Sequence, residues 1–129
     1  MTIAVLDASA LLALLLGERG SDTVQAVLAD SAMSIVNLCE VIGHYARNGV
    51  AEGDIRQVLE PLPIVLHPFD ADQAYSVGLL LPATKPFGLS FGDRACLALA
   101  QRLGVKALTA DRAWRDIAVV AMGEVAMIR

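Results

Sequence analysis

The chain has 129 residues, a formal net charge of −4, and 56% hydrophobic against 19% charged residues. That length holds one hydrophobic core and not two, so one domain over residues 1–129 with one site is expected. No apolar run approaches the roughly 18 to 20 residues of a membrane span, and the acidic balance argues against broad non-specific binding to nucleic acid, which needs many phosphate contacts, while leaving room for a local basic rim.

In chain order, Ile3 to Leu6 is a short apolar run ended by Asp7, and Ala8 to Leu16 is a set of strong helix formers closed by Gly17, which predicts strand, turn, helix. The start has no basic region ahead of an apolar one, so it reads as mature sequence and a cytoplasmic protein is expected. Ser21 or Asp22 can cap a second helix to about Ala29. A third helix is expected from about Ser34 to Asn48, stopped by Gly49, with Leu38, Val41, Ile42 and Tyr45 on one face. Asn37, Glu40, His44 and Arg47 fall on the other, at steps of three and four.

Glu52 to Leu59 reads as a short helix ended by Pro61 and Pro63, Ile64 to Leu66 as a strand, and Asp70 or Asp72 to Leu81 as a helix. Residues 82–88, rich in Pro and Gly, form the one clear loop expected. Ser90-Phe91-Gly92-Asp93 opens a long helix to Gly104; Val105 to Thr109 is a strand running into Asp111; a helical turn spans Arg112 to Arg115. Strands follow at Val119 to Ala121 and near Val125 to Ile128. The alternation predicts a mostly parallel sheet between helices. Cys39 and Cys96 lie in helical apolar patterns without zinc-ligand spacing, which predicts reduced, buried thiols. The high apolar content, carried by Ala, Leu and Val, points to a partner interface as well as a core.

In a parallel sheet, ligands gather outside the carboxyl ends of the strands, and both Asp7 and Asp111 stand there. Each acid taken alone has an ordinary explanation. Asp7 and Asp111 precede helical segments as caps; Asp93 sits in a capping box with Ser90; Glu40 can pair with His44 or Arg47 for about 0.3 to 0.5 kcal/mol. Brought together, four carboxylates repel, and either some take up protons or a divalent cation settles the conflict. An all-oxygen set suits Mg²⁺ or Mn²⁺, which activates water and neutralises phosphodiester charge.

Four segments carry a resemblance: Val5-Leu6-Asp7-Ala8-Ser9-Ala10-Leu11, Val36-Asn37-Leu38-Cys39-Glu40-Val41, Leu89 through Ala100 around Ser90-Phe91-Gly92-Asp93, and Leu108-Thr109-Ala110-Asp111-Arg112-Ala113-Trp114. In order and spacing they resemble the motifs of PIN-domain ribonucleases, and the VapC-type toxins of type II toxin–antitoxin systems best. The resemblance implies a PIN-like three-layer α/β/α sandwich with a mostly parallel central sheet of four to five strands. It implies an endoribonuclease in which Asp7, Glu40, Asp93 and Asp111 surround Mg²⁺ or Mn²⁺ and metal-activated water hydrolyses RNA. Ser9 and Thr109 would orient the acids or touch a phosphate, with Asn37 in support. The implied partners are RNA, a cognate antitoxin and a second copy of the chain in a homodimer, with the apolar stretch from Ala8 to Leu28 as the contact surface.

Arg94 and Arg112, next to two of the acids, head the candidates for a phosphate-binding rim, followed by Arg115 and Arg47. Trp114 is expected in the core, and His44 is read as an ion-pair partner. Two alternatives stand beside the toxin: a PIN-type nuclease of RNA processing or single-stranded DNA, and a non-catalytic α/β binding module whose acids are caps and ion pairs. A haloacid dehalogenase-type phosphatase also ends its first strand in Asp, but Asp7-Ala8-Ser9 lacks the second Asp of that pattern.

Overall fold

The computed structural model describes residues 1–114 and 124–129; Arg115 and the strand expected at Val119 to Ala121 lie outside them. Among the described residues, the strands are β1 (Ala4–Leu6), β2 (Ser31–Ser34), β3 (Val65–His67), β4 (Lys106–Thr109) and β5 (Val125–Met127), in one sheet of order β3-β2-β1-β4-β5. Every neighbouring pair is parallel, with Ala4 opposite both Ser31 and Lys106. Parallel strands need crossovers that cover both faces. These are α1 (Ala8–Leu15), α2 (Ser21–Val27), α3 (Ile35–Arg47), α4 (Glu52–Leu59), α5 (Ala71–Leu79), the short α6 (Leu81–Thr84) and α7 (Phe91–Leu103).

The pleat divides the strand side chains between two cores. Ala4, Leu6, Met33 and Leu108 face Ala10 and Leu11 of α1, Val24 of α2 and Val41 of α3. Val5, Ala32 and Ala107 face Val77 of α5, Leu97 and Leu99 of α7, and Trp114. The expected three-layer α/β/α arrangement follows from this alternation. Leu6, Leu11, Leu97 and Leu99 are fully buried, each burial stabilising by about 1.5–3 kcal/mol. No helix among the described residues is long and apolar enough to cross a membrane.

Several local expectations change. β2 was not anticipated, because Ser-Ala-Met-Ser has neither β-branched residues nor alternation and is strand only through its neighbours β1 and β3. Residues 82–88 are not a loop: Pro82 sits in the first turn of α6 and a 3-10 turn covers Lys85–Phe87, positions where the missing proline N–H costs nothing. Gly20, rather than Ser21 or Asp22, caps α2 at φ 96°, where a Cβ would collide with the Ile128 carbonyl. Cys96 is buried, but Cys39 is exposed, since it lies off the stripe that α3 turns inward. Within the stretch from Ala8 to Leu28, Ala10, Leu11, Ala13, Val24 and Leu28 are buried in the core, while Leu16 remains exposed.

Candidate active site

The carboxyl ends of β1 and β4 lie side by side, with Leu6 opposite Leu108, so the residues that follow them, Asp7 and Asp111, emerge at the same edge. α3 begins where β2 ends, and α7 begins at Phe91. A pocket of about 540 Å³ opens there, lined by Asp7, Ala8, Ser9, Leu12, Glu40, Gly43, His44, Arg47, Asp93 and Asp111. All four sequence-predicted acids therefore share one cavity.

Asp7 is the anchor. It caps α1 and is 3% exposed. Its Oδ1 accepts from Ser9 Oγ at 2.7 Å and from the Ala10 amide at 2.8 Å, while Oδ2 accepts from Thr109 Oγ1 at 2.7 Å. Both hydroxyls also accept: Ser9 Oγ from the Ala110 amide at 2.9 Å, Thr109 Oγ1 from the Asp111 amide at 2.9 Å. Each hydroxyl has one proton and spends it on Asp7, so the 3.3 Å approach of Ser9 Oγ to Thr109 Oγ1 is contact rather than a further bond. The clamp ties the ends of β1 and β4 to α1. Burial outweighs these three donors and pushes the Asp7 carboxyl up to about 6.

Glu40 and Asp93 come from facing helices. Asn37, fully buried one turn before Glu40, donates through Nδ2 to Glu40 Oε1 and to the Gly92 carbonyl, both at 2.9 Å. Its own Oδ1 has no partner. The absence of a side chain at Gly92 makes room for this: a Cβ there would fall inside the Glu40 carboxylate. Asp93 closes the capping box of α7, accepting from the Ser90 amide at 2.9 Å while its amide donates to Ser90 Oγ at 3.2 Å. Burial raises both carboxyls above their ordinary values; Asn37 and Ser90 oppose that rise, and the charge of Asp93 on Glu40, and of Asp111 on Asp93, adds to it. The buried Trp114 indole N–H is near enough to favour ionised Asp93 but makes no hydrogen bond of ordinary geometry. Asp111 is exposed, its Oδ1 accepting from the Ala113 amide at 2.9 Å.

As the side chains lie, no three acids among the described residues stand close enough to share one ion. The donor set nevertheless fits a hard divalent cation. It is all oxygen, and three of its carboxyls are held above their ordinary values by burial and by one another, a conflict that a cation removes. Glu40 and Asp111 are exposed and Asp93 is partly so, each carboxylate accepting one hydrogen bond against three on the buried Asp7.

The arginines differ from expectation. Arg94 turns away from the pocket: its Nη1 donates to the Val77 carbonyl at 2.9 Å and its guanidinium lies 6.0 Å from the Phe91 ring centre. Arg112 is exposed and does not line the cavity. Arg47 and His44 of α3 line it instead. Gly92 and Gly43 were missed as site residues, because a glycine's role depends on what stands opposite it.

A family model described as the PIN domain matches residues 4–120. No curated protein matches the sequence. Among solved structures, the chain is similar to DNA-bound VapBC from Salmonella typhimurium, with 15% identity, a TM-score of 0.75 and 100% of each chain covered. A toxin–antitoxin complex from Klebsiella pneumoniae gives 21% identity, a TM-score of 0.74 and 98% of each chain. Mycobacterium tuberculosis VapC20, described as a sarcin-ricin loop cleaving toxin, gives 17% identity and a TM-score of 0.71, covering 88% of this chain and 94% of that one. At such identities the likeness is one of fold.

Proposed function

This chain belongs to the PIN domain family, and from that premise we propose that it is a divalent-metal-dependent endoribonuclease, the toxin of a type II toxin–antitoxin pair, acting in the cytoplasm. The observation that carries the reading is the convergence of Asp7, Glu40, Asp93 and Asp111, from four separate stretches of chain, on one cavity. Bound Mg²⁺ or Mn²⁺ supplies Lewis-acid chemistry, lowering the pKa of water and offsetting phosphodiester charge. Asp7, Glu40, Asp93 and Asp111 would hold it. Ser9 and Thr109 fix the Asp7 oxygens, and Asn37 fixes Glu40. Hydrolysis on this plan leaves 5′-phosphate and 3′-hydroxyl ends.

The antitoxin partner is supported by the toxin–antitoxin complexes among the similar structures and by an apolar groove between α3 and α4, lined by Leu38, Ile42, Ala46, Val50, Ile55 and Leu59. The homodimer is supported by exposed apolar residues outside that groove, Tyr75 and Leu79 one turn apart on α5 and Leu81 at the start of α6. The test is incubation of purified protein with total RNA, with Mg²⁺ or Mn²⁺ and with EDTA, beside folded Asp7→Asn and Asp93→Asn variants. Metal-dependent cuts with 5′-phosphates, absent in both variants, are expected. Identical behaviour of wild type and variants would return the acids to caps and ion pairs, and growth arrest on expression, relieved by a neighbouring gene product, distinguishes a toxin from a processing nuclease.

A further inference from the structure

The acid pocket has a cationic end that the four acids do not explain. Glu40, Gly43, His44 and Arg47 occupy one stripe of α3 and all line the cavity, with Arg47 two turns, about 10 Å, along the axis from Glu40. Four other guanidiniums are committed, Arg56 to Glu52 and Glu60, Arg102 to Asp70, Arg129 to Glu18 and Arg94 to a backbone carbonyl, while Arg19 and Arg112 do not line the pocket. Arg47 is the only arginine lining this pocket among the described residues, and no carboxylate is paired with it there although four acids share the cavity. Among the described residues, its side-chain hydrogen bond is from Nη2 to His44 Nδ1 at 3.4 Å. The guanidinium can only donate, so in this contact the His44 ring nitrogen is the acceptor. Between the acids and this pair the floor is open: a Cβ on Gly43 would meet nothing within 4 Å.

We propose that Arg47, oriented by His44, binds a phosphate neighbouring the one that reacts, so that the site takes a single-stranded polynucleotide laid along α3 from the acids across Gly43. The proposal rests on the nuclease reading for its reacting end, and adds the direction in which the strand leaves. Arg47 has the fork of donors that matches a phosphate, and its distance from Glu40 places that phosphate beyond the cluster. A mononucleotide would use the acids alone.

The test measures binding of a fluorescent single-stranded RNA to the Asp93→Asn protein at fixed Mg²⁺ over a series of salt concentrations. Adding Arg47→Ala is expected to weaken binding roughly three- to tenfold and to reduce the slope of log affinity against log salt by about 0.7, the loss of one single-strand phosphate contact. Arg47→Lys keeps the slope. Gly43→Leu, which removes no charge and whose Cβ meets nothing within 4 Å, weakens binding by standing in the path. Equal affinity and slope with and without Arg47, or no binding by any of the proteins, overturns the subsite even if the wild type cleaves RNA. If the wild type fails to cleave while the Arg47 dependence holds, the nuclease reading falls and the strand-binding subsite remains.

Discussion

Asp7 is buried and its two oxygens accept three hydrogen bonds, whereas Glu40 and Asp111 stand exposed with one side-chain bond each. The first acid is placed by the sheet: adjacent parallel strands end together, and Ser9 and Thr109 lock the carboxylate between them. The others are placed by helix termini and a helix face, each carboxylate accepting a single hydrogen bond: Asp93 from the Ser90 amide, Glu40 from Asn37 and Asp111 from the Ala113 amide. Half of the pocket is thus built by folding, and the proposed cation would draw the other half in. This explains why four acids share a cavity while no three are within reach of one ion.

If that division holds, the largest effect belongs to the fixed acid. Asp7→Asn keeps the shape but loses the charge, and turns an amide NH₂ toward at least one of the three donors, Ser9, Ala10 and Thr109; a fall in RNA cleavage on the order of 10³-fold is expected in a single-turnover assay. Next comes the clamp. Thr109→Val leaves an Asp7 oxygen and the Asp111 amide unpaired, so denaturant unfolding should show a loss of about 1–3 kcal/mol, and cleavage should fall with it. A fully stable Thr109→Val protein would mean that the clamp contributes little.

The pH dependence sharpens the same contrast. The folded-state value of Asp7, about 6, lies above its ordinary 3.8, so folding takes up a proton between these values. The associated stability is fully present below the ordinary value and is lost as pH rises through about 6; at most about 3 kcal/mol is involved. Glu40 and Asp93 are shifted in the same direction. With EDTA, the melting temperature should therefore be higher near pH 5 than near pH 7.5, with a smaller difference in Asp7→Asn. Added Mg²⁺ should raise it mainly at the higher pH. The smallest effect concerns the loose half: Gly92→Ala pushes Glu40 aside and should reduce cleavage roughly tenfold, with a change in stability under about 1 kcal/mol because alanine is the better helix former.

The sequence made the sheet-end acids legible because an acid after an apolar run, followed by a helix, has few places to go in a parallel fold. Glu40 and Asn37 were legible as a stripe at helical spacing. What escaped depends on contacts between distant segments. Arg94 follows Asp93 in sequence, but one helical step is a rotation of about 100°, which carries it to Val77 and Phe91 instead of the pocket. Arg47, which the sequence already grouped with Glu40 on one face of α3, lines the pocket with it where α3 and α7 meet at Asn37 and Gly92. β2 likewise owes its strand state to partners on both sides, not to Ser31 to Ser34 themselves.

The most direct measurement is calorimetric titration of Mn²⁺ into the wild-type protein and into folded Asp7→Asn and Asp93→Asn variants near pH 7.5. The four-acid site predicts saturable binding by the wild type that is weakened at least roughly tenfold in each variant. Equal Mn²⁺ affinity in all three proteins, or none in the wild type, would contradict it.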